Sequence, residues 1–169
     1  FPSTFVETLA AGGWLGIAMP KKYGGSNLGI TEAALMMITI AEKGGMTAAS
    51  SIHMNIFGPN SLVKFASEKQ NNNWLPKIIS GETKMCFAVT EPDTGLDTTR
   101  LKTKAIKNKD KYIVNGRKIW TSTAQVADKI MLLARTANRN DKNPSDGLSL
   151  FYTNFNKTSI EARVIDKMG

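Results

Sequence analysis

Of 169 residues, one is cysteine, Cys86, and one is histidine, His53. A lone thiol excludes a disulfide framework and any Cys-based structural zinc site. A lone imidazole excludes a His-pair metal centre. No apolar run approaches the roughly 20 residues of a membrane span. The longest, Ala33 to Ile38, is broken by Thr39 and then by Glu42 and Lys43. No G-x-G-x-x-G follows an expected strand, and there is no P-loop and no G-x-S-x-G elbow. Phe1-Pro2-Ser3 has neither the basic start nor the apolar core of a signal peptide. There is no internal repeat and no low-complexity tract.

The remaining composition is that of a globular protein, 41% apolar and 21% charged, which argues against disorder and against collagen. The charge is unbalanced: 22 Lys and Arg against 14 Asp and Glu leave +8. That points to an acidic partner, either nucleic acid or a phosphorylated cofactor or substrate. The basic residues look scattered in short pairs such as Lys21-Lys22 and Arg117-Lys118, so charge alone does not choose. The length suits one large domain or two small ones. The chain does not begin with Met and stops at Met168-Gly169 just after an expected strand, so it reads as part of something longer.

Up to about residue 80 the apolar spacing is helical. Phe5, Val6, Leu9 and Ala10 form one short helix, ended by Gly12-Gly13. Thr31 is the expected N-cap of a helix to Lys43, with Ala34, Leu35, Ile38 and Ala41 as its buried stripe and Gly44-Gly45 as its stop. Thr47 to Phe57 and Asn60 to Ala66 read as two more helices. Ser67 and Gln70 have capping-box spacing ahead of Trp74, Leu75 and Ile78. After Gly81 the period shortens to two. Strands are expected over 85–90, 101–106, 112–114, 117–121, 129–134, 148–153 and 160–165. Asn115-Gly116 is the expected hairpin turn. Helices followed by an antiparallel meander indicate an α+β fold: a helical domain over 1–81 and a β-barrel-like domain over 82–169.

Two segments could carry chemistry. In Val89-Thr90-Glu91-Pro92-Asp93-Thr94-Gly95-Leu96-Asp97, a strand enters a tight turn whose N–H groups could meet an anion or a carbonyl-bearing ring. An ordinary β-turn, with Glu91 and Asp97 satisfying turn amides, explains the same residues. A glycosidase-type pairing of Glu91 with Asp97 has no support in their spacing. In Lys118-Ile119-Trp120-Thr121-Ser122-Thr123, a strand-end tryptophan precedes three hydroxyl residues. It could stack on a planar ring while the hydroxyls meet the ring's polar edge, although packing in a core is a tryptophan's commoner fate.

Together these segments resemble the acyl-CoA dehydrogenase family, which has a V-T-E-P-x-x-G-x-D run followed by an N-G-x-K-x-W run. Here they stand as Val89 to Asp97 and Asn115 to Trp120. Gly16 to Gly25, Trp74 to Glu82 and the strand Ile130 to Arg135 add matches in the family's order.

The resemblance implies a helical N-terminal domain, a β middle domain, and a C-terminal helical bundle that this chain lacks. It implies FAD as cofactor, along Phe87, Val89, Thr90, Gly95 and Leu96, with Trp120 against the ring and Thr121-Ser122 at its polar edge. Leu96 stands where the family usually has Ser, leaving a backbone contact to cofactor or substrate, and Thr94 replaces a small residue. Ser50 and His53 would lie on the helix that lines the acyl pocket. The implied reaction is α,β-dehydrogenation of an acyl-CoA thioester, in which a glutamate takes the α-proton and a flavin accepts the hydride. That glutamate belongs to the C-terminal domain, so no catalytic base, and no metal ligand, is expected in this chain. The implied partners are acyl-CoA, an electron-transferring flavoprotein, and further copies of the chain in a tetramer or dimer, with no nucleic acid and no membrane span. The implied location is a bacterial cytoplasm or a mitochondrial matrix rather than outside the cell. The alternatives are an acyl-CoA oxidase or flavin monooxygenase of the same fold, and a non-catalytic basic binding module.

Overall fold

The computed structural model describes residues 1–166; Lys167, Met168 and Gly169, which close the expected middle domain, lie outside the described residues. Four helices come first: α1 (Ser3–Ala11), α2 (Ile30–Phe57), α3 (Asn60–Phe65) and α4 (Glu68–Ile79). Five strands follow: β1 (Met85–Ala88), β2 (Lys104–Asn108), β3 (Lys111–Asn115), β4 (Lys129–Arg135) and β5 (Leu148–Asn154).

The helical half follows local chemistry with two corrections. α4 starts on the expected capping box: Gln70 N–H donates to Ser67 Oγ at 3.3 Å, and Ser67 N–H donates to Gln70 Oε1 at 2.9 Å. α2 starts one residue before Thr31 and is capped instead by Glu32, whose carboxylate accepts the Gly29 N–H at 2.8 Å. Gly44-Gly45 does not separate two helices by a loop. One non-helical residue, Gly45 at φ 79° and ψ 170°, breaks α2 into two arms, a backbone shape that glycine adopts without a Cβ penalty. The buried face of α2 is also different. Ala33 and Met36, with Ile52 and Ile56 from the second arm, pack on Val6, Leu15 and Ile17, while Leu35 and Ile38 face outward. Ala33 to Ile38 is apolar on every side, so its pattern does not select the inner face.

The strands form one mixed sheet and not the expected antiparallel meander. β4 is its centre: β1 lies parallel to it, β5 lies antiparallel to it, and β2 joins it in parallel at Lys104 and Arg135. Parallel neighbours require a crossover between them, and residues 89–128 supply it for β1 and β4. β2 and β3 form a hairpin, but its turn is Lys109-Asp110, with Lys109 at φ 55°. Asn115-Gly116 is not a turn. Gly116 is there for space, since a Cβ would collide with the Thr103 side chain. Residues 117–121 are not a strand, because Trp120 sits at φ 56°, outside extended backbone. Residues 160–165 are likewise not a strand.

The two halves share a core. Leu75, Ile78 and Ile79 of α4 pack with Met85 of β1 and Met131 of β4, beside Met19, Tyr23 and Leu62. Removing eight such side chains from water stabilises the joint by roughly 1.5–3 kcal/mol for each one fully buried. The start of β1, at Met85, is thereby held on the helical half.

Candidate functional site

Beyond β1 the chain turns at Pro92-Asp93. The turn is closed by Glu91 N–H donating to Thr94 O at 3.0 Å and Thr94 N–H donating to Glu91 O at 3.1 Å. The Glu91 side chain does not serve this turn. It points inward, 5% exposed, and gathers donors from a distant segment. Lys102 N–H reaches Oε2 at 2.6 Å, while Thr103 N–H at 2.9 Å and Thr103 Oγ1–H at 2.5 Å reach Oε1. The Lys118 ammonium completes the set at 2.9 Å and also donates to Val89 O at 2.9 Å. Burial pushes the Glu91 carboxyl upward, but the bonds from Thr103, Lys102 and Lys118 outweigh it and hold the group at about 2. Burial pulls the Lys118 ammonium below its ordinary value, against the pull of Glu91. A carboxylate so stabilised is an anchor, since a general base needs a proton affinity near working pH.

That anchor joins the two sequence segments. Lys118 ties to Val89 and Glu91, and Ile119 N–H donates to Thr90 O at 2.9 Å. The next residue, Trp120, is thrown outward in the left-handed conformation with 59% of its surface exposed. Phe87 is the one outward-facing residue of β1, and Val89 and Thr90 are half-buried beside the joint. Thr121 is half-buried and Ser122 exposed, and among the described residues their N–H groups donate to no protein acceptor. Gly95 has open space where a Cβ would stand, and Leu96 is fully exposed. Asp97 is committed locally: Thr99 Oγ1 and N–H donate to it at 2.5 and 3.1 Å, and Arg100 Nε at 3.0 Å. The Thr99 hydroxyl is the chief cause holding its carboxyl below the usual range.

Ser50 and His53 lie apart on the second arm of α2. Ser50 is exposed and His53 half-buried, and no hydrogen bond links either to residues 87–122. His53 Nδ1–H donates to Ser50 O at 2.6 Å, the carbonyl being acceptor only. Cys86 is fully buried, and burial raises its thiol to about 12, which leaves it inert. Among the described residues no group of three His, Cys, Asp or Glu could hold a metal ion.

Residue-level reading did not anticipate Lys118, Thr103 or Arg135. Buried Arg135 donates from Nη2 to Thr99 O at 2.5 Å and from Nη1 to Asp146 O at 3.1 Å, pinning the loop that follows Asp97. Lys118 is legible only as the K of the N-G-x-K-x-W run, because its partners lie 27 and 29 residues back. Two clefts of about 300 and 270 Å³ lie elsewhere, one behind the Glu91 turn and one in the helical half. Neither is lined by Phe87, Trp120 or Ser122.

Residues 1–82 match the N-terminal domain model of acyl-CoA dehydrogenases, and residues 86–169 match the middle domain model. The chain belongs to the acyl-CoA dehydrogenase family. It is 38% identical over 133 residues to the mitochondrial isovaleryl-CoA dehydrogenase of Bos taurus, covering 78% of this chain and 31% of that protein. A probable acyl-CoA dehydrogenase of Mycobacterium abscessus superposes with a TM-score of 0.88 at 27% identity, over 100% of this chain and 44% of that one. A Mycobacterium smegmatis glutaryl-CoA dehydrogenase in complex with FADH2 superposes with a TM-score of 0.79 at 26% identity, over 91% of this chain and 38% of that one. The chain thus spans between about a third and under half of the length of these family members.

The residues present fit a flavin. The exposed Trp120 indole offers a flat apolar surface, and the next two residues carry hydroxyls and N–H groups that, among the described residues, meet no protein acceptor, a combination suited to a flat ring with one polar edge.

Proposed function

We propose that this chain forms the flavin- and thioester-facing part of an enzyme that converts an acyl-CoA to its trans-2-enoyl-CoA. The observation that carries this reading is the Lys118 joint. It ties the segment that leads into Trp120, Thr121 and Ser122 to Val89, Thr90 and Glu91, with Leu96 exposed beyond the adjoining turn. FAD, when bound, supplies the two-electron acceptor, with an electron-transferring flavoprotein as the onward acceptor.

The chain's own residues bind and orient. Trp120 and Phe87 offer the apolar surface for a ring. The N–H and hydroxyl groups of Thr121 and Ser122 donate to its polar edge. The open backbone at Gly95 and Leu96 admits a phosphate or thioester oxygen. Ser50 and His53 line the acyl chain's path on α2. Neither site carboxylate is free to take a proton: Glu91 is held at about 2 by four donors, and Asp97 caps Thr99 and Arg100. The base therefore comes from residues other than these. In this reading residues 1–81 are the helical N-terminal domain and 82–169 the middle domain, of a tetramer or dimer in a bacterial cytoplasm or a mitochondrial matrix.

The test is a visible spectrum of the purified full-length protein after FAD supplementation, followed by anaerobic addition of acyl-CoA. Yellow flavin bands that bleach with substrate, and reoxidise slowly in oxygen, support the proposal. Colourless protein, or rapid reoxidation, refutes it.

A further inference from the structure

The positive charge is not scattered once the fold is known. Between Lys104 and Arg117 stand five basic residues, Lys104, Lys107, Lys109, Lys111 and Arg117, against one acid, Asp110, so half of the chain's +8 lies on the β2–β3 hairpin and the two residues that follow it. All five are exposed, and among the described residues none forms an ion pair. The hairpin has two unlike faces. Ala105, which is buried, and Tyr112, whose ring meets Phe151 edge-on at 5.0 Å, turn toward the sheet. On the opposite face Ile106 and Ile113 are directly paired across the strands, 60% and 52% exposed, flanked by Lys104 and Lys111. These two branched side chains pair across the hairpin and leave their outer surface bare between Lys104 and Lys111, whose ammonium groups are also exposed.

We propose that this hairpin face is a peripheral docking surface for an anionic phospholipid bilayer. The chemistry selects the occupant. A bilayer offers acidic headgroups to the lysines and hydrocarbon to Ile106 and Ile113, in that order with depth. Nucleic acid would use the cations but has nothing for the two isoleucines, and the hairpin's one aromatic ring, Tyr112, faces the other way. A specific protein partner needs about 800 Å² on each side. Two five-residue strands about 17 Å long and about 10 Å wide present roughly 170 Å². A bilayer needs no matching footprint. Lys109 at the turn, held at φ 55°, projects one more cation at the leading end.

The experiment is co-sedimentation of the full-length protein with phosphatidylcholine vesicles, with and without phosphatidylserine. The proposal expects binding that depends on phosphatidylserine and weakens with salt. Each lysine near such a surface contributes about fivefold in partitioning, so Lys104→Gln with Lys111→Gln lowers binding roughly 25-fold. Ile106→Ser with Ile113→Ser lowers it further while leaving flavin content and turnover at the parent level, which shows that the fold is intact. Lys109→Gln, on the exposed turn, is the variant least able to disturb folding and should cost about fivefold. Binding that is absent, indifferent to phosphatidylserine, or unchanged in these variants overturns the proposal. So does tighter binding to an oligonucleotide lost through the same lysine changes.

Discussion

Replacing Glu91 with Gln keeps the shape of the side chain and removes its charge. Its two oxygens receive four donors, Lys102 N–H, Thr103 N–H, Thr103 Oγ1–H and Lys118 Nζ. The amide of Gln has one oxygen and one NH2 group, so the NH2 must face at least one donor. The NH2 meets fewest donors where Oε2 stood, against Lys102 N–H, so Lys118, whose side chain is 10% exposed, keeps a neutral amide oxygen and the Val89 carbonyl but loses its counter-charge. Breaking a buried pair from one side costs about 3–5 kcal/mol. The proton-linked part is smaller. A carboxyl held at about 2 against an ordinary 4.5 corresponds to at most about 3 kcal/mol, and to about 1–2 kcal/mol once solvent at the turn is allowed for. The folded-state value is the lower one, so the unfolded chain binds the proton more readily. The stabilisation is complete above 4.5 and is lost as the pH falls toward 2. Urea unfolding of the full-length protein at neutral pH should show E91Q weakened by about 3 kcal/mol or more. Repeated down to the Glu91 value, the parent's advantage over the variant should shrink by the proton-linked part, about 1–2 kcal/mol. A deficit under about 1 kcal/mol, or parallel acid profiles, would refute the role of Glu91 as anchor. Glu91→Gln with Lys118→Met should recover part of the loss, since the stranded cation is gone.

Other expectations concern single positions. Trp120→Ala should lower FAD affinity about tenfold, or about 1.4 kcal/mol, with little change in unfolding, because the indole is mostly exposed; equal flavin content in variant and parent would remove its stacking role. Leu96→Ser, which restores the family's usual residue, should leave cofactor or substrate binding unchanged or tighter by titration, and a large loss would show that the assigned register is wrong. Gly116→Ala should destabilise by about 1–3 kcal/mol in a urea melt, because its new methyl meets Thr103, the residue that holds Glu91. Cys86 should resist a thiol reagent in native protein and react once urea unfolds it.

The order of helices before strands was legible because each signal is local: glycine pairs, the Ser67–Gln70 capping box, and a change of period after Gly81. What failed was set by contacts distant in sequence. Leu35 and Ile38 had the spacing of a core stripe, yet α1 meets Ala33 and Met36 instead, and no local pattern says where α1 lies. Asn115-Gly116 carried the strongest hairpin signal, but the glycine serves a close approach to Thr103, 13 residues away in the chain, and the turn fell to Lys109-Asp110. Pairing β1 with β4 in parallel spans more than 40 residues, a relation that strand-by-strand alternation does not encode.

At the site, residue chemistry alone read Glu91 as satisfying the amides of its own turn. Position in space reverses that reading. Glu91 is buried and saturated with donors, so its charge stabilises the joint and is unavailable for proton transfer. The residues left free are those that do no structural work: Trp120, Ser122, Phe87 and Leu96, all exposed and all beside the anchored pair of segments or its turn. Trp120 and Phe87 offer exposed ring surface, and Leu96 follows Gly95, where the backbone has open space. The same charge that makes Glu91 useless as a base is what holds Lys118, and with it the segment that carries Trp120, against the Glu–Pro turn.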